Sequence, residues 1–98
     1  MSHALIEQLK EALTERNLAD TKNALESISV SITEKDTSLI QEITAPPVIT
    51  DLHKQIGECF GVPQRAMMLK NRVSTAQRRA LLFVKAMQNG LSKVKEEE

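Results

Sequence analysis

Between Gly61-Val62-Pro63 and Asn89-Gly90 there is no further glycine or proline, and apolar residues recur at Val62, Ala66, Leu69, Val73, Ala76, Ala80, Phe83 and Met87. A step that alternates between four and three returns each time to one side of a helix. The opposite side carries Arg65, Lys70, Arg72, Arg78, Arg79 and Lys85, and no acidic residue occurs from Gln64 to Lys95. One unbroken helix over 64–89 would run about 39 Å, against roughly 34 Å across a globule of this size. It would protrude, or it would need a second copy to cover its apolar side. Ser74, with Gln77 three residues on, reads as a capping box. A break there would let a single chain close on itself, and both arrangements stay open.

The rest of the composition fits helices packing on helices. Trp and Tyr are absent and Phe occurs twice, so the core must be built from Leu, Ile, Val, Met and Ala. The expectation is an all-α bundle of four to six helices in one domain, 1–98. Its acidic N-terminal layer is 1–45, its C-terminal layer with the basic face is 46–95, and a frayed tail covers 91–98. The missing aromatics remove the stacking platforms used by single-strand nucleic-acid binders. A lone Cys59 excludes an internal disulfide and suits a reducing compartment. No apolar run approaches the ~20 residues of a membrane span, and no signal-peptide pattern is present, so a cytoplasmic protein with no membrane contact is expected.

The formal net charge of zero hides a split. Five Lys or Arg and ten Asp or Glu lie in 1–60, whereas 61–95 holds eight basic residues and no acid. The two halves either neutralise one another, within one bundle or between copies, or the basic side awaits an acidic or phosphate-bearing partner.

Taken in order, Ser2 is placed to cap a first helix near Ala4 to Arg16, with Leu5, Ile6, Leu9, Ala12 and Leu13 on its inner arc and Glu7, Glu11 and Glu15 behind. Asn17 interrupts it. Asp20 then caps a second helix from about Thr21 to Ile32, with Leu25, Ile28 and Ile32 inward. Ser27 to Ile32 also alternates strictly, which is a strand pattern, but no other stretch alternates well enough to pair with it. Glu34-Lys35-Asp36 forms a polar turn. Thr37 or Ser38 caps a short helix bearing Leu39, Ile40 and Ile43, and Ala45-Pro46-Pro47 stops it. Thr50 is expected to cap a helix from Asp51 to about Phe60, which Gly61 ends.

His53 to Lys70 resembles a helix-turn-helix. Gly57 stands where two helices cross closely, Gly61 fills the turn, Val62 takes the aliphatic place after it, and Pro63 starts the second helix. Ile56, Phe60 and Met67 supply inward contacts. Lys70 departs from the pattern, which wants an apolar residue there. The resemblance implies that Gln64, Arg65, Met68, Lys70 and Arg72 lie near DNA, Gln and Arg reading base edges and Lys and Arg holding phosphates.

Chemistry finds little support. His53 and Cys59 are six apart, on different sides of a helix, so they form neither a dyad nor a metal pair. No phosphate loop, metal-ligand cluster or cofactor motif is present, and neither an enzyme nor a small-molecule substrate is expected. Two functional readings remain. The first is a small helical interaction protein, acting as a regulator, adaptor, chaperone or inhibitor. It would pair with itself as a homodimer or with an acidic partner through Leu69, Val73, Ala76, Ala80, Phe83 and Met87. The second is a helix-turn-helix transcriptional regulator using 53–72.

Overall fold

The computed structural model describes residues 3–61 and 75–94. Within them the chain forms five helices and no strand: α1 (Ala4–Thr14), α2 (Leu18–Thr33), α3 (Thr37–Ile43), α4 (Pro46–Phe60) and α5 (Ala76–Ser92). The architecture is the all-α bundle expected. The alternating run in 27–32 is helical, with Ile28 and Ile32 buried four apart and Val30 between them 48% exposed.

The first two turns share one construction. At the end of α1, Arg16 takes φ 54°. Its N–H donates to the Leu13 carbonyl, and the Asn17 N–H donates to the Ala12 carbonyl. At the end of α2, Lys35 takes φ 64°. There the Lys35 and Asp36 N–H groups donate to Ile32 and Ser31 in the same way. This pair of bonds satisfies carbonyls that a helix end leaves without partners. Asn17 and Asp36 each close one helix and open the next. The Asn17 Oδ1 accepts from the Asp20 N–H at 3.0 Å, and the Asp36 Oδ1 from the Leu39 N–H at 3.1 Å. Hence the caps are Asn17 and Asp36, not Asp20, Thr37 or Ser38.

His3 ties the second of these turns to the start of α1. Its Nδ1 accepts from the Leu5 N–H at 3.1 Å and caps α1, a role expected of Ser2, which lies outside the described residues. The ring proton therefore sits on Nε2, which donates to Asp36 Oδ2 at 3.0 Å. The His3 backbone N–H donates to Glu42 Oε1 at 2.7 Å. The starts of α1 and α3 are thereby held side by side.

Pro46 and Pro47 stop α3 as expected, and they also begin α4, four residues before the expected cap at Thr50. Ala45 is extended, the conformation a following proline favours, and the first turn of a helix asks for no N–H donor. Gly61 ends α4 with φ 68°, a left-handed conformation suited to glycine. Thr75 is extended, at φ −125° and ψ 150°, so no continuous helix runs through 64–89. Its hydroxyl accepts from the Arg78 N–H at 3.2 Å, one residue past the capping box expected at Ser74. Gln77 instead donates to the Ile32 carbonyl at 2.9 Å and pins the start of α5 to the end of α2. α5 continues past Gly90 to Ser92.

α2 packs chiefly against α1 and α5 and also meets α3, while α4 packs on α1, α3 and α5. The shared core includes Ile6, Leu9, Leu25, Ile28, Leu39, Ile43, Leu52, Ile56 and Phe83, all fully buried. Among the described residues, no buried side-chain polar atom lacks a partner.

Two outcomes follow. Replacing Arg16 or Lys35 by Gly removes a left-handed non-glycine and should raise the urea midpoint, by the equivalent of roughly 0.5–1 kcal/mol each. The Leu39 N–H and the His3 hydrogen bond hold the Asp36 carboxyl below the usual carboxylate range. A carboxyl lowered by folding stabilises at neutral pH, and that contribution fades as pH falls below ~4. Asp36→Asn should keep the cap yet show a smaller loss of urea midpoint between neutral and acid pH than the parent chain.

Candidate interaction surface

The apolar flank of α5 faces the chain's own core. Ala80, Phe83 and Met87 are fully buried against it, with Val84, Gly90 and Leu91, and Ala76 is partly buried. Leu69 and Val73 lie outside the described residues. Three of the six residues expected to meet a partner are thus enclosed by their own chain, because α2, α3 and α4 already cover that side of α5. The residues that remain available on α5 are others.

They form a ridge. Arg78, Leu82, Lys85 and Asn89 follow one another at steps of four, three and four, so they share the helix side opposite the core. Arg79 and Lys93 flank them. All six are exposed, and among the described residues Leu82 is one of two large hydrophobic residues left open, at 42%. The other is Val30 on α2. Among the described residues, Arg78, Arg79, Lys85 and Lys93 make no ion pair. No periodicity rule singles out Leu82. The signal was Leu81-Leu82-Phe83-Val84, four apolar residues in a row, of which a helix can turn only some inward.

Two hollows lie elsewhere on the surface. An open trough of about 320 Å³ runs between α1 and α2, with Ala12 and Ala24 on its floor and Glu11, Glu15, Asp20, Gln8, Asn23 and Ser27 along its sides. Its three carboxylates make no ion pair among the described residues. A wider hollow of about 610 Å³ follows one side of α4, lined among the described residues by Ile49, Thr50, His53, Lys54, Gly57, Glu58 and Gly61.

The second hollow borders the segment that resembles a helix-turn-helix. Gly61 is left-handed there, as the turn position requires, while Ile56 is buried and Phe60 partly so. Gln64, Arg65, Met68, Lys70 and Arg72, with Val62, Pro63 and Met67, lie outside the described residues.

The Cys59 thiol donates to the Leu13 carbonyl at 3.2 Å and joins α4 to α1. Among the described residues no group of His, Cys, Asp and Glu is placed to hold a metal. No described helix is long and apolar enough to cross a membrane. Comparison with protein-family models, curated proteins and solved structures found no match.

Because Phe83 is a core residue, Phe83→Ala should lower unfolding free energy by about 3–5 kcal/mol. Leu82→Ser, on the exposed side, should change it by no more than about 0.5 kcal/mol. Urea unfolding of both variants checks the assignment.

Proposed function

We propose that the chain is a small protein–protein interaction module, and that the outward ridge of α5 is its recognition surface. The observation that carries this reading is an exposed Leu82 set among Arg78, Arg79 and Lys85, cations with no ion pair among the described residues. An apolar centre ringed by charge is the anatomy of a protein contact: the leucine supplies burial, and the cations steer and orient. The favoured partner surface is acidic, with an apolar cleft that accepts a leucine. Phosphates alone would give Leu82 nothing to bury against.

One observation supports a second reading. Left-handed Gly61 ends α4 where a helix-turn-helix needs its turn. A duplex-binding regulator would then use Gln64, Arg65, Met68, Lys70 and Arg72.

Two probes separate the readings: a labelled amphipathic helical peptide with a Glu and Leu face, and a random-sequence DNA duplex. The interaction reading expects the peptide to bind at low salt. That binding should fall about tenfold or more in Leu82→Ser and in the double variant R78E/R79E. Duplex binding that ignores Leu82→Ser, weakens with salt and disappears in Arg65→Ala with Lys70→Ala would favour the DNA reading. Peptide binding indifferent to every ridge substitution would contradict the interaction reading.

A further inference from the structure

We infer that the acidic partner of the α5 ridge is the α1–α2 trough of a second copy of this chain, in a closed symmetric dimer with α2 at its centre. The inference rests on the interaction reading above and names its partner.

The layout of three helices carries it. α1 and α5 flank α2, and the outward side of α2 lies between them. Asn23 and Val30, seven residues apart, share one stripe down that side. On one side of the stripe, Asp20 and Ser27 line the trough toward α1. On the other, Glu26 accepts from Gln88 of α5 at 3.2 Å. The acid-lined trough and the basic ridge therefore sit on opposite sides of a central line that bears the exposed Val30.

Symmetry then allows only one matching arrangement. In a two-fold dimer each patch meets the same partner patch reciprocally. A half-turn about an axis running along α2, in the plane of contact, carries the α5 ridge of each copy over the trough of the other. It also sets Val30 against Val30. A half-turn about an axis crossing α2 would place ridge on ridge, with cations facing cations. The favoured pairing buries Val30 and Leu82, the two large hydrophobic residues open among the described residues, and joins opposite charges twice.

The register agrees. Gln77 reaches Ile32, and Gln88 reaches Glu26, so α5 runs antiparallel to α2 and the two contacts bracket its level against α2 to within about five residues. Ala12 and Ala24, both buried, line the trough together, which sets α1 against α2 to within about a helical turn. Rotation about an axis along α2 keeps each residue at its own level. Within that bracket Lys85 reaches the level of Glu11 of the second copy, and Lys93 that of Glu15. Leu82 enters near the trough's upper end, beside Ser27. A net charge of zero leaves no overall repulsion between copies.

The test is a charge exchange read by sedimentation of the full chain at tens to hundreds of micromolar. The parent chain should reach a mass of two copies and no more. E11K/E15K and K85E/K93E should each weaken pairing by about tenfold or more, and their equimolar mixture should restore it. Val30→Asp should also weaken pairing, while circular dichroism confirms that each surface variant stays helical. A parent chain that remains monomeric, assemblies that keep growing with concentration, or a mixture no better than its components would each overturn the dimer. The peptide measurement at dilute concentration reports the ridge independently, so loss of the dimer with peptide binding intact leaves the interaction reading standing.

Discussion

Burial of one flank of α5 holds the bundle together. Ala80, Phe83, Val84, Met87 and Leu91 all sit fully inside, packed on helices from the first half of the chain. Burying a side chain the size of Phe, Met, Leu or Val contributes about 1.5–3 kcal/mol. The exposed Lys54–Glu58 pair, at 3.9 Å, belongs to a class worth roughly 0–1 kcal/mol. Packing therefore decides the fold, and surface charge decides what the fold meets. The same step of four and three that turns Phe83 and Met87 inward turns Arg78 and Lys85 outward.

Local chemistry makes the rest of the bundle possible in few residues. The connections after α1 and α2 each consist of a helix cap, a left-handed basic residue, and an Asn or Asp that starts the next helix. Such turns spare residues for the helices, which a short chain needs to bury an adequate core. They also fix where helices begin, so the inner faces of α1, α2 and α3 are presented in register. His3 links the ends of that series, and Gln77 clips α5 to it from the other side.

Much of this was legible in the residues. Periodicity located the helices and the inner line of α5, and Gly61 marked the end of α4. What eluded sequence reasoning has two causes: residues that serve two elements at once, and roles set by neighbours in space. Asn17 and Asp36 each act in two helices at once, so a rule that assigns one cap to one helix looked past them. Pro46 and Pro47 both stop and start a helix, and only the stop was visible. Thr75, not Ser74, caps α5, and Gln77 serves the Ile32 carbonyl of α2. The candidate surface was the least legible part. A helical pattern shows that α5 has an apolar side, but not whether that side meets its own chain or another. Leu82 became informative only once Phe83, Val84 and Met87 were seen to fill the core.

The account depends on that division between inner and outer faces, and side-chain accessibility measures it directly. Methyl NMR in dilute solution with a soluble paramagnetic agent reads each face separately. The expected result is strong broadening of the Leu82 and Val30 methyl signals, with those of Val84, Met87 and Leu91 spared. Met87 and Leu91 methyls broadened as strongly as Leu82 would mean that α5 does not pack inward, and the ridge and every partner proposed for it would go with that packing.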